Sequence, residues 1–180
     1  MCPSAVSQDV LISPVLEVQE QGQPYTRMVG AALAFRFPLE GDRYTIEARP
    51  GFLLGHWTSL ADSYERKDGR IGGSLALLRT HGLHVFMVDY GVEAGWYHRS
   101  VSFQHYSSTQ DLEYQSLTTG VQVALRYIGS GGVQPLVSLS TFHELPLEIA
   151  DHEIRGVSSV QGGWGIGIRL GMIIEIPSVR

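Results

Sequence analysis

Hydrophobic and polar residues alternate along most of the chain with a period of two, and no long segment has the spacing of an amphipathic helix. This alternation is typical of β-strands that present one face to an apolar environment and the other face to a polar one. The pattern predicts eight strands. They cover residues 10–19, 27–37, 43–57, 70–80, 84–97, 114–128, 133–143 and 158–174.

The segments between these strands are alternately short and long. The short ones contain glycine or suit hairpin turns, and they are residues 38–42, 81–83 and 129–132. The long ones are polar, and they are residues 20–26, 58–69, 98–113 and 144–157. An even strand number with short turns at one end and longer loops at the other is typical of outer-membrane barrels. The predicted fold is therefore all-β, a closed eight-stranded antiparallel up-and-down transmembrane β-barrel that forms a single domain over residues 1–180.

Bulky apolar residues share one face of each predicted strand, and small or polar residues share the other. In the last strand, Ile168 and Leu170 lie on one face, while Gly167, Arg169 and Gly171 lie on the opposite face. Alternation alone does not say which face points outward, because a soluble lipocalin-like barrel that binds a ligand has the reverse arrangement. The soluble ligand-binding barrel is therefore the alternative to a membrane barrel.

Composition favours lipid around the bulky face. Charged residues make up 17% of the chain, below the ~25% of an average soluble domain, and Lys67 is the only lysine. Aromatic residues cluster towards both ends of the predicted strands, as expected for girdles at two membrane interfaces. The residues near the long-loop ends are Trp57, Trp96, Tyr97, Tyr114 and Trp164, and those near the short-turn ends are Phe37, Tyr44, Phe86 and Tyr127.

The strand and loop layout, "VDYGVEAGW" (88–96) and the closing strand "GGWGIGIRLGMIIEI" (162–176) resemble the small eight-stranded outer-membrane β-barrel proteins of Gram-negative bacteria. The resemblance covers about residues 10–176. It implies a location in the bacterial outer membrane, in contact with membrane lipid and lipopolysaccharide. Many members of that family end in an aromatic residue, whereas this chain ends "IPSVR". No secretory signal is visible, so the chain is expected to be a mature or recombinant form.

Following the alternation, four acids and four arginines are predicted to point into the barrel. They are Glu17, Arg36, Glu47, Arg49, Asp89, Glu93, Arg126 and Arg169. Because isolated buried charges are costly and arginine pairs well with carboxylates, we expect a paired network in the lumen. Closure of the barrel would bring Arg169 near Glu17. The network is expected to plug the lumen, and the alternative is the gate of a narrow pore.

Other chemistry is weakly indicated. The net charge of −5 and the absence of a basic stripe argue against nucleic acid, and the single cysteine, Cys2, allows neither an internal disulfide nor a Cys-based zinc cluster. Five histidines lie at or beyond the long-loop ends, namely His56, His98, His105, His143 and His152. Glu144, Asp151 and Glu153 lie in the last of these loops. Their spacing matches no metal motif, so no metal or cofactor is predicted.

One segment raises an enzymatic alternative. In "FQHYSSTQDLE" (103–113), His105, Ser107 and Glu113 could supply a base, a nucleophile and an orienting acid. The segment is similar to the His-x-Ser element of outer-membrane lipid A deacylases, which implies an outer-leaflet lipid hydrolase. In that family the element precedes the final strand, whereas here two more strands follow strand 114–128.

The leading prediction is a non-enzymatic barrel, expected to be a monomer. Its loops 58–69, 98–113 and 144–157 would contact a surface or a ligand.

Overall fold

The computed structural model describes residues 11–21, 26–39, 43–59, 64–105, 108–128, 133–148 and 163–175, and of residues 11–21 it describes the backbone pairing. These residues form eight antiparallel strands. The strands are β1 (Leu11–Gln21), β2 (Thr26–Pro38), β3 (Tyr44–Ser59), β4 (Tyr64–Leu83), β5 (Phe86–His105), β6 (Ser108–Tyr127), β7 (Val133–Glu148) and β8 (Gly163–Glu175). No helix among the described residues is long and apolar enough to cross a membrane.

The sheet closes on itself, so the predicted fold class is confirmed. Each strand pairs with the next one in sequence, and β8 returns to pair with β1, where Leu16 lies opposite Leu170. Closure satisfies the backbone N–H and C=O groups that an open edge would expose, and lipid offers no partners for such groups. Because the strand number is even, both the start of β1 and the end of β8 lie at the end that carries the turn at His84–Val85, which we call the tight-turn end.

The orientation of the two faces is also confirmed. Leu170 is 52% exposed on the outer wall, whereas its neighbour Arg169 is 2% exposed and points inward. The outward residues of β2–β8 form a broad apolar belt. A wall that faces lipid requires such a belt, whereas the outer wall of a water-soluble barrel is polar. The most exposed aliphatic members of the belt are Leu54, Ile71, Leu75, Val92, Leu139 and Ile166.

Several predicted strand ends are wrong, because β4, β5 and β6 are each 20 residues long. Most of the predicted loops 58–69 and 98–113 continues these strands, and the start of loop 144–157 belongs to β7. The pairing of β4 with β5 runs without a break from Leu83–Phe86 to Tyr64–His105, which moves the predicted turn at 81–83 to His84–Val85. His84 has a φ of 55°, a left-handed conformation in which histidine is enriched.

The outer aromatic girdle is smaller than predicted. Trp96 and Trp164 do point outward and are highly exposed, but Tyr97 and Tyr114 are buried inside the barrel. The side chain of Trp57 lies outside the described part of the structure. Adjacent residues of a strand face opposite sides, so Trp96 and Tyr97 cannot both reach lipid. At the tight-turn end, all four predicted girdle residues are exposed; they are Phe37, Tyr44, Phe86 and Tyr127.

Glycine is required where β2 and β3 approach closely. A Cβ atom at Gly30 would lie 1.8 Å from the backbone oxygen of Phe52, whereas one at Gly82 would meet nothing within 4 Å. We expect Gly30→Ala to lower the free energy of unfolding by about 1–3 kcal/mol through overpacking. Gly82→Ala is the matched control and should change it little. Urea titrations of the refolded barrel test this, and equal effects of the two variants would contradict it.

Candidate functional site

Inward side chains of five strands meet in the middle of the lumen. Seven ionisable residues on β2, β3, β5, β6 and β8 form what we call the mid-barrel network. Its members are Arg36, Glu47, Arg49, Asp89, Glu93, Arg126 and Arg169. Their positions follow from the period of two, which carries every second residue of a strand into the barrel.

Glu93 on β5 joins two other walls of the barrel. Its Oε2 atom lies 2.6 Å from Nη2 of Arg49 on β3, and its Oε1 atom lies 3.0 Å from Nη2 of Arg169 on β8. The side-chain oxygen of Gln122 accepts a hydrogen bond from each arginine, at 3.3 Å from Arg49 and 2.7 Å from Arg169. These contacts therefore connect β3, β5, β6 and β8 across the lumen.

Asp89 forms the second centre, nearer the tight-turn end. Its Oδ2 atom lies 2.9 Å from Nη1 of Arg36 and 3.0 Å from Nε of Arg126. The hydroxyl of Thr80 donates a hydrogen bond of 2.8 Å to the other carboxylate oxygen. Glu47 links the two centres, because its two oxygens lie 2.8 Å from Arg36 Nε and 2.8 Å from Arg49 Nη1.

These charges are almost completely enclosed. The side chains of the network are at most 10% exposed, and that of Asp89 is 1% exposed. A buried charge that loses its partner costs several kcal/mol, so the close pairing is what allows so many charges in so narrow an interior.

The structure brings together seven of the eight residues predicted to point inward. For Glu17, the backbone position is described, and it lies directly opposite Arg169 in the pairing of β1 with β8. The side chain of Glu17 lies outside the described part of the structure.

A second group of charges was missed by sequence reasoning. It lies further from the tight-turn end, and we call Arg66, Asp68, Arg99 and Glu144 the outer-end network. Nη1 of Arg99 lies 2.6 Å from Glu144 Oε2, and its Nη2 lies 3.2 Å from Asp68 Oδ1. Nε of Arg66 lies 2.8 Å from the other oxygen of Asp68. The network therefore joins β4, β5 and β7 across the lumen.

Aromatic rings contact this outer-end network, because the guanidinium of Arg66 lies 5.4 Å from the ring centroid of Phe103 and that of Arg99 lies 5.8 Å from the ring centroid of Tyr114. The guanidinium of Arg70 lies 3.6 Å from the ring centroid of Tyr97, within the range of a cation–π contact. On β5 and β6, a buried apolar cluster lies beside this network, and in the strand pairing Val101 is opposite Asp68 and Tyr114 is opposite Arg99. The members of this cluster are Val101, Phe103, Leu112 and Tyr114.

The outer-end network was missed because its residues fall in segments predicted as loops. A signal was present in the sequence, since Arg66, Asp68 and Arg70 are spaced by two, as are Arg99, Val101 and Phe103. The alternation continued past the apolar belt, but the outward positions there are polar too, which makes a strand look like a loop.

The described side chains among the histidines singled out by the sequence contact different residues. His56 lies 3.0 Å from Glu65, which also contacts Lys67 at 3.1 Å, and these groups lie on the outer surface. The hydrogen bond from Lys67, followed by that from His56, holds the pKa of Glu65 below its usual value. The ring of His143 packs on that of Trp164, at 5.1 Å between centroids. Asp151, His152 and Glu153 lie outside the described residues.

The described geometry does not support Glu113 as the orienting acid of a hydrolase. Glu113 is exposed on β6 and faces His98, with 3.8 Å between their side-chain atoms. The backbone of His105 pairs with Ser108, five residues from Glu113 and about 17 Å away along the strand. Ser107 lies outside the described residues.

Comparison with known proteins gives matches only to solved structures. No protein-family model and no curated protein matches the chain. Neisserial surface protein A matches with a TM-score of 0.63 at 10% identity, over 93% of this chain and 97% of the other. Ail, the attachment invasion locus protein of Yersinia pestis, matches with a TM-score of 0.62 at 10% identity, over 95% of this chain and 100% of the other.

The N-terminal β-barrel domain of Pseudomonas aeruginosa OprF matches with a TM-score of 0.53 at 15% identity, over 90% of this chain and 97% of the other. Identities this low carry information about fold alone. Closure, the apolar outer wall and the paired charges inside agree with these matches. The chain thus has the fold of the small eight-stranded β-barrels of Gram-negative outer membranes.

Proposed function

We propose that this protein is a non-conducting outer-membrane barrel that acts as a rigid platform for contacts outside the cell. The observation that carries the proposal is the pair of ion-pair networks that cross the lumen at two levels. A barrel of eight strands has an interior just wide enough for its own side chains, so bulky arginines joined to carboxylates of facing walls leave no open path for ions.

The outer end supports the platform role. β5 extends nine residues past Trp96, to His105, and pairs with both β4 and β6 over that length. Nine residues correspond to about 30 Å of strand. The exposed side chains of this projecting sheet are polar and of both signs, including Lys67, Asp111 and Glu113. The contacts would therefore be made by the strands that project from the membrane and by the loops that connect these strands. Outer-leaflet lipopolysaccharide is the nearest partner for such a surface.

Planar-bilayer conductance tests the plug. Heat-dependent migration on a gel first establishes that the refolded sample is a closed barrel, and the same sample is then added to the bilayer. We expect no steady conductance from the wild type. Arg49→Ala with Glu93→Ala empties part of the mid-barrel network, and Arg99→Ala with Glu144→Ala empties part of the outer-end network. Because the two networks lie in series, we expect conductance only when all four changes are combined.

Conductance steps in the wild-type barrel would contradict the proposal and favour the narrow pore.

A further inference from the structure

A charged side chain lies on the outer wall near the tight-turn girdle. Among the described outward strand residues from the level of Trp96 to the tight-turn girdle itself, Arg79 on β4 is the only one with an ionisable side chain other than tyrosine or histidine. A charged residue on the lipid face of a barrel costs about 2–4 kcal/mol at the bilayer midplane and about 0–1 kcal/mol near an interface. The cost of Arg79 therefore depends on its depth, which its neighbours on the wall indicate.

Two tyrosines flank this arginine. In the pairing of β3, β4 and β5, Arg79 lies directly between Tyr44 and Tyr90, and all three are exposed on the outer wall. Side chains opposite one another on adjacent strands have Cβ atoms about 4.5–5.5 Å apart. Tyrosine is enriched at the headgroup level of a membrane, so the row places the guanidinium at that level.

The next row towards the membrane centre is purely apolar. It consists of Ile46, Leu77 and Val92, which pair in the same way and are exposed to lipid. The wall therefore changes from cationic and hydroxyl-bearing to aliphatic within two residues, about 7 Å of strand. A glycerophospholipid has the matching profile, with a phosphate at one level and acyl chains directly beyond it.

We propose that Tyr44, Arg79 and Tyr90 bind the phosphate of a phospholipid in the periplasmic leaflet, while Ile46, Leu77 and Val92 contact its acyl chains. The charges are complementary, because none of these six residues is acidic and a guanidinium donates two parallel hydrogen bonds to phosphate oxygens. Exposed His81 lies two residues nearer the turn on the same face of β4 and extends the basic region. The tight-turn end faces the periplasm in barrels of this kind, which assigns the lipid to that leaflet.

Native mass spectrometry of the refolded barrel tests the site. The protein in detergent micelles is mixed with equal amounts of phosphatidylglycerol and of diacylglycerol with the same acyl chains, and bound lipid is counted. We expect the wild type to retain phosphatidylglycerol in preference to diacylglycerol. Arg79→Gln should reduce the phosphatidylglycerol adduct about fivefold, the effect of one basic residue near an anionic lipid surface, and leave the diacylglycerol adduct unchanged.

Two further variants make the result specific. Arg27→Gln removes the same charge at the opposite end of the barrel and should not alter lipid retention, whereas Arg79→Lys should keep most of it. Gel migration monitors folding, which Arg79→Gln should not impair because it removes a charge from a lipid-facing position. Equal phosphatidylglycerol retention by the wild type and Arg79→Gln would overturn the proposal and leave Arg79 as a side chain that reaches water. Equal losses in Arg27→Gln and Arg79→Gln would also overturn it.

Discussion

Replacing Glu93 by alanine is expected to lower the free energy of unfolding by about 3–5 kcal/mol, the cost of breaking a buried ion pair by removing one partner. The carboxylate lies between Arg49 and Arg169, at 2.6 and 3.0 Å, and both guanidinium groups would remain enclosed after its removal. Urea-dependent unfolding of the barrel in lipid vesicles, followed by gel migration, measures the loss. This is the largest effect that we expect from any single substitution in the lumen.

Glu113→Ala is the matched control for that experiment. It removes the same side chain from the same sheet, but at a position whose carboxylate is 71% exposed and lies 3.8 Å from His98. Exposed pairs of this kind contribute about 0–1 kcal/mol. A loss at Glu93 no greater than the loss at Glu113 would mean that water reaches the mid-barrel network and that the lumen is not a dry plug.

Replacing Leu170 by arginine is expected to lower the free energy of unfolding by about 2–4 kcal/mol. Leu170 lies in the middle of β8 on the outer wall, where it is 52% exposed. In a membrane-spanning barrel, the outer wall at this depth contacts acyl chains. An arginine there would hold a charge far from either headgroup layer. Folding into vesicles at a series of urea concentrations gives the difference directly.

Ile174→Arg provides the comparison on the same strand and face. Ile174 lies four residues nearer the tight-turn end, where an arginine can reach the headgroups, so we expect a cost of about 0–1 kcal/mol. Similar small costs at both positions would indicate water around β8 and would count against a membrane-spanning wall. The pair of variants thus measures depth along one strand without changing the chemistry of the substitution.

The two networks connect strands across the interior of the barrel, as a packed apolar core does in a soluble domain. An ion pair between Arg169 on β8 and Glu93 on β5 joins strands that are not neighbours in the sheet, as does the pair of Arg36 on β2 with Asp89. Such contacts oppose flattening of the barrel and fix its register, since a slip of one residue would turn every inward charge towards lipid. In the proposed function, this wall would position the outer ends of β4–β6.

The face that each residue presents was determined by the sequence itself. A period of two needs no knowledge of the partner strand, so the outward position of Leu170 and the inward positions of Arg49, Glu93 and Arg169 could be predicted locally. The even strand number and the change from bulky to small residues across each strand were sufficient to predict closure. These features are repeated in every strand, which makes them robust to errors in any one of them.

Only the tertiary structure decided how far the strands run and which charges meet. Beyond the apolar belt, the outward positions of β4, β5 and β6 are polar, which makes these segments look like loops, and only the cross-strand pairing shows that Arg66, Asp68 and Arg99 belong to strands. Likewise, Glu47 bridges Arg36 and Arg49, and Arg99 pairs with Glu144, 45 residues away, because closure and strand stagger fix their depths. Sequence spacing specifies the face of the strand on which a residue lies, whereas contacts across the lumen depend on how all eight strands pair around the barrel.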